Sequence, residues 1–135
     1  MMTGELFALL ATQSILRHSI DDAFDQAAFA EAAADGLSRP EQIAGRLFGL
    51  RAESLLSDPA PGVARARLSG WLTGMELAAT RGWWLGTDVA LIGASDNAAR
   101  YRAALAAEGV DAPVVPAEEA TLAGLKAAHS TLAAR

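Results

Sequence analysis

Asp88-Val89-Ala90-Leu91-Ile92-Gly93-Ala94-Ser95 is a short run of branched and apolar residues that stops at a glycine followed by two small residues. Such a run, bounded by turn formers, predicts a short strand whose carboxyl end turns into a helix. The helix is expected from Asp96 to Glu108, with Tyr101, Leu105 and Ala106 on one side and Gly109 as its stop. VDAPVVPA, from Val110 to Ala117, reads as a second strand. Pro116 with the acidic pair Glu118 and Glu119 then opens a last helix carrying Leu122, Leu125 and Leu132. Strand, helix, strand in that order is a right-handed parallel unit. Two strands are too few to make a stable sheet, so the chain is expected to be truncated or to obtain further strands from elsewhere.

Upstream of this unit the periodicity is helical. MTGELFALL, Met2 to Leu10, enters a helical pattern at once, with Thr3 placed to cap it and Glu5 in the first turn. Asp21 and Asp22 are expected to open a second helix that stops at Gly36, and Pro40 a third that runs to Leu56. SDPAPG, Ser57 to Gly62, is the Pro and Gly cluster that breaks the chain before a long helix from Val63 to Arg81. Within that helix Gly70 and Gly74 stand four apart on one face, so another element can approach the backbone closely. The expected organisation is a helical segment over residues 1–56, then over 63–135 a helix followed by strand, helix, strand, helix.

Composition narrows the function classes. With 135 residues, 16 Asp and Glu against 11 Lys and Arg, and no cluster of basic residues, the chain is one domain or a piece of one and a poor partner for nucleic acid. No stretch approaches the roughly 20 apolar residues that cross a bilayer, and no export signal precedes Arg17, so no membrane role is expected. The absence of Cys removes disulfides and thiolate chemistry and fits a reducing compartment, which makes the cytoplasm the expected location.

Few residues carry chemistry by pattern. Gly93, Ala94 and Ser95 form a turn between strand and helix, where backbone amides open towards a ligand, although neither GxGxxG nor GxxxxGK[ST] is present. Arg51, in LFGLRAESL, offers a planar fork for a phosphate or carboxylate, or else a surface ion pair. Ser69 and Thr73 beside the two glycines fit either a ligand approach or helix packing. Trp83 and Trp84 read as core or interface anchors before they read as a stacking platform. His18 and His129 are far apart, and the acidic pairs sit at helix starts, so no metal site and no catalytic residue is assigned.

MTGELFALL, RLFGLRAESLL, LSGWLTGMELA, VALIGAS followed by YRAAL, and EEATLAGLKA resemble, in order and spacing, the 2-dehydro-3-deoxygalactonokinase family. The resemblance covers essentially the whole chain. It implies an α/β, helix-rich fold: part of the second, ribonuclease-H-like lobe of an actin-like ATPase fold, with a short parallel sheet. It also implies transfer of the terminal phosphate of ATP, with Mg²⁺, to the 6-hydroxyl of 2-dehydro-3-deoxy-D-galactonate. By the same resemblance Gly93, Ala94 and Ser95 inherit the adenosine-binding turn, and the residues that read the sugar acid lie mostly in the absent lobe. Within this chain no substrate-binding residue is assigned, with Thr3, Glu5 and Arg51 as the candidates that their own chemistry and place offer. The family's PGTHSKW-like and DxGT-like phosphate segments do not occur here, and with them the metal-linked acidic groups and the general base are missing. The chain alone is therefore expected to be inactive and to need an N-terminal lobe, since phosphoryl transfer rests on positioning and charge stabilisation. The alternative is a non-catalytic partner or oligomerisation module, with exposed sheet edges and Gly70 and Gly74 in an interface between chains.

Overall fold

The computed structural model of the chain describes residues 2–133. It divides into two compact units, Met1–Trp83 and Trp84–Arg135.

The first unit is helical. Its helices are α1 (Thr3–Thr12), α2 (Gln26–Ser38), α3 (Ile43–Leu56) and α4 (Val63–Ala79), with short 3-10 turns at Ile15–His18 and Pro40–Gln42. The core forms where α2, α3 and α4 meet: Leu16, Ala32, Ile43, Leu50, Ala64, Leu68, Trp71 and Leu72 cluster, with Phe7 and Leu10 of α1 packed against them. Phe29, Leu68 and Leu72 are almost wholly buried. Each such side chain stabilises by about 1.5–3 kcal/mol through area removed from water.

Gly70 and Gly74 let α4 lie directly on α2. A Cβ at Gly70 would come 2.5 Å from the Phe29 carbonyl oxygen, and one at Gly74 would meet the Ala33 carbonyl oxygen and, at 2.6 Å, the Leu37 nitrogen. The glycines are thus consumed by packing within the chain, which corrects their expected place in an interface between chains. Ser69 and Thr73 are buried in the same helix. Gly36 is also corrected: it lies inside α2, facing the Trp71 backbone, and the helix runs on to Ser38.

The aspartates expected to open α2 have other partners. Asp25 is the cap, accepting the Ala28 amide at 2.8 Å. Asp21 accepts the Ala23 amide at 2.8 Å and the Gly62 amide with both oxygens at 3.0 Å. It thereby fastens the Ser57–Gly62 loop, where Gly62 takes φ +81° to start α4. At α1 the cap position is Met2 without a side-chain bond, and the Thr3 hydroxyl instead donates to the Glu76 carboxylate on α4. A residue one position inside the helix cannot cap it, and Thr3 instead ties two helices together.

The second unit holds β1 (Leu91–Gly93), α6 (Ser95–Ala107), β2 (Val114–Pro116) and α7 (Ala117–Ala133), and the boundary between units falls in the four-residue helix α5 (Arg81–Trp84). β1 and β2 pair in parallel, Leu91 with Val114 and Gly93 with Pro116. Gly109, at φ +79°, ends α6 as the sequence predicts. The buried set is small: Trp84, Ala98, Ala104, Leu105 and Ala112. Helix α7 buries no residue, and Leu122, Leu125 and Leu132 are 50–70% exposed, as is Ile92 of β1 at 65%.

Candidate functional site

The strand-to-helix turn lies where the sequence put it. Gly93 closes β1, Ala94 stands at the cap of α6 in extended conformation (φ −66°, ψ 142°), and Ser95 begins the helix; the Ser95 side chain lies outside the described atoms. Alanine has no side-chain acceptor, so α6 starts without a side-chain cap and its first-turn amides depend on other acceptors. A Cβ built on Gly93 meets no atom within 4 Å, so there is room beside the turn. Asp96 sits in the first turn.

The other two sites lie in the helical unit. Arg51 of α3 has no carboxylate partner among the described residues. Its Nη1 donates to Ser19 Oγ at 3.3 Å and reaches Ser54 Oγ at 3.5 Å, and the two hydroxyls bond each other at 2.6 Å. Arg51 lines an apolar depression of about 310 Å³ with Leu10, Ile15, Leu16, Leu47 and Phe48. Ser19 and Ser54 line a neighbouring polar one of about 230 Å³ with His18, Asp21 and Asp58.

A larger groove of about 440 Å³ runs between α2, α3 and α4, past Glu31, Asp35, Arg46, Glu53, Arg67 and Trp71. Most of its charges are already paired. Arg67 donates to Glu53 at 2.6 Å, Arg46 Nη2 donates to Asp35 Oδ1 at 2.6 Å, and Trp71 Nε1 donates to Asp35 Oδ2 at 3.1 Å. Arg46 Nε lies 2.6 Å from Asp35 Oδ2 but without hydrogen-bond alignment. These bonds stitch three helices together, which is a structural task.

Against this geometry stand the likenesses to known proteins. A family model described as 2-keto-3-deoxy-galactonokinase matches residues 1–128. The chain belongs to the 2-keto-3-deoxy-galactonokinase family. A protein of Rhizobium meliloti (strain 1021) assigned as 2-dehydro-3-deoxygalactonokinase DgoK1 is 41% identical over 132 residues, which are 94% of this chain and 43% of that protein. The crystal structure of a Sinorhizobium meliloti protein assigned as a 2-dehydro-3-deoxygalactonokinase superposes with a TM-score of 0.88 at 38% identity, over 97% of this chain and 45% of that one. The chain thus spans less than half the length of these relatives. The fold class implied by the sequence is borne out: helix-rich α/β with a short parallel sheet, matching part of a kinase fold.

Of the residues singled out in the sequence of this family member, Thr3 is bonded to Glu76 and Glu5 is exposed on the first turn of α1. Trp84 is buried and Trp83 is 75% exposed. His18 and His129 are exposed. Sequence reasoning passed over Ser19 and Ser54. Ser54 follows Arg51 by three positions on a helix, a spacing that places them side by side and could have flagged it, whereas Ser19 comes from another segment. Among the described residues no three His, Asp or Glu side chains converge as a metal site, so none is assigned to Mg²⁺. No helix of the described residues is long and apolar enough to cross a membrane.

Proposed function

We propose that this chain forms the adenosine-side portion of a cytoplasmic kinase that phosphorylates 2-dehydro-3-deoxy-D-galactonate at its 6-hydroxyl, using ATP and Mg²⁺. The family match over residues 1–128 carries this reading. In the reaction the 6-oxygen attacks the terminal phosphorus, the bond from that phosphorus to the ADP oxygen breaks, and the hydroxyl proton leaves to a base. ATP supplies the phosphoryl group; Mg²⁺, for which the described residues form no site, would when bound supply charge stabilisation at its oxygens. The part assigned to this chain is binding: the Gly93–Ala94–Ser95 turn approaches adenosine. The lack of a side-chain cap at Ala94 and the open space at Gly93 support that assignment.

Residues 1–135, as the C-terminal lobe of such a kinase, release no ADP above background when mixed with ATP, Mg²⁺ and the sugar acid. In amide NMR spectra, ATP shifts the Gly93 and Ala94 resonances saturably. Turnover by the chain alone contradicts the division of labour, and ATP shifts confined to other segments contradict the adenosine assignment.

A second reading, a non-catalytic association module derived from such a kinase, is favoured by the exposed apolar side chains of the second unit, Ile92, Leu122, Leu125 and Leu132. Size-exclusion chromatography with light scattering separates the two. A homo-oligomer that Leu125→Lys dissociates supports the module, and a monomer argues for cover by a further lobe.

A further inference from the structure

Arg51 is a partly buried cation whose guanidinium has only hydroxyl partners among the described residues. Its Nη1 donates to Ser19 Oγ at 3.3 Å, Ser19 and Ser54 bond each other at 2.6 Å, and Ser54 Oγ donates to the Arg51 carbonyl at 2.9 Å. With Ser54 donating to that carbonyl, Ser19 must donate to Ser54, and the ring of bonds that starts at the guanidinium closes on the Arg51 backbone carbonyl. The ring holds one corner of the fork in place without neutralising it. Nε and Nη2, the parallel donors along one edge, have no acceptor among the described residues, and Arg51 is the one charged residue lining the apolar depression of about 310 Å³.

We propose that this edge of Arg51 binds the carboxylate of the sugar acid, with Ser19 and Ser54 as positioning residues. The inference rests on the kinase reading for the identity of the acid. Charge balance selects the carboxylate over the nucleotide phosphates: one guanidinium matches one negative charge, and Asp21 and Asp58 border the adjoining polar depression, where they oppose a polyanion. The parallel Nε–H and Nη2–H match the spacing of two carboxylate oxygens. The apolar lining from Leu10, Leu47 and Phe48 suits the methylene next to the acid's 2-keto group.

The test is side-chain NMR of the Arg51 Nε–H on the 135-residue chain, titrated separately with 2-dehydro-3-deoxy-D-galactonate, neutral galactose and inorganic phosphate. The sugar acid shifts this resonance saturably and galactose does not. Followed at the backbone amides of Ser19 and Ser54, which remain in the variant, Arg51→Lys keeps the charge, loses the fork and weakens binding by about ten-fold, and Ser19→Ala, followed at Ser54, weakens it less. Circular dichroism checks that both variants keep the wild-type helix signal. Phosphate acting at equal or lower concentration than the sugar acid overturns the carboxylate assignment. So does an unshifted Arg51 resonance, or binding unchanged in Arg51→Lys. ATP shifts at Gly93 and Ala94 are read in the same samples, so failure at Arg51 with success at the turn rejects this inference and leaves the kinase reading intact.

Discussion

At the scale of single residues, Gly74 and Asp35 hold the helical unit together by opposite means. Gly74 contributes by what it lacks: a methyl group there would meet the Ala33 carbonyl oxygen and lie 2.6 Å from the Leu37 nitrogen, both backbone atoms that cannot swing away. Gly74→Ala is expected to lower unfolding stability in urea by about 1–3 kcal/mol, as overpacking does. Gly45→Ala, on the exposed face of α3 with nothing within 4 Å, serves as the control and should raise stability by about 0.5–1 kcal/mol, because glycine is costly inside a helix. Asp35 contributes by what it accepts, one bond from Arg46 and one from the Trp71 indole. Asp35→Ala leaves both donors without that partner and should cost about 1.5–3 kcal/mol in the same measurement. The sequence showed the spacing of Gly70 and Gly74 and the close approach it permits. Which element makes that approach is a tertiary fact that no local pattern encodes.

At the scale of elements, local chemistry marked the boundaries well where a cap or stop acts within a few residues, and poorly where the partner is distant. Gly109 stops α6, and Pro116 immediately precedes α7, as read from the sequence. Asp21 misled because its partner, the Gly62 amide, lies 41 positions away. Thr3 misled for the same reason, its partner Glu76 lying on another helix. The candidate site was legible as a strand-to-helix turn and as Arg51, whereas the hydroxyl ring around Arg51 joins segments that only the fold brings together. Uneven burial among elements has a dynamic consequence. Amide hydrogen exchange is expected to be slowest in α4, which buries ten residues, and fastest among the long helices in α7, which buries none. Equal protection in α4 and α7 would contradict this ordering.

At the scale of the whole molecule, the second unit offers two three-residue strands and a helix with an exposed leucine stripe, a unit too sparse to make a full sheet. The chain spans 43% of the Rhizobium relative, and the proposed activity assigns the phosphate-handling groups to the remainder. A segment exchange tests this central claim most directly: this chain replaces the matched portion of the Rhizobium protein, and ATP-dependent phosphorylation of 2-dehydro-3-deoxy-D-galactonate is measured by coupled ADP release. The account predicts that the chimera phosphorylates the sugar acid while the 135-residue chain alone does not. A chimera that folds to a cooperative, helix-rich protein yet transfers no phosphate, beside an active Rhizobium parent, would contradict it.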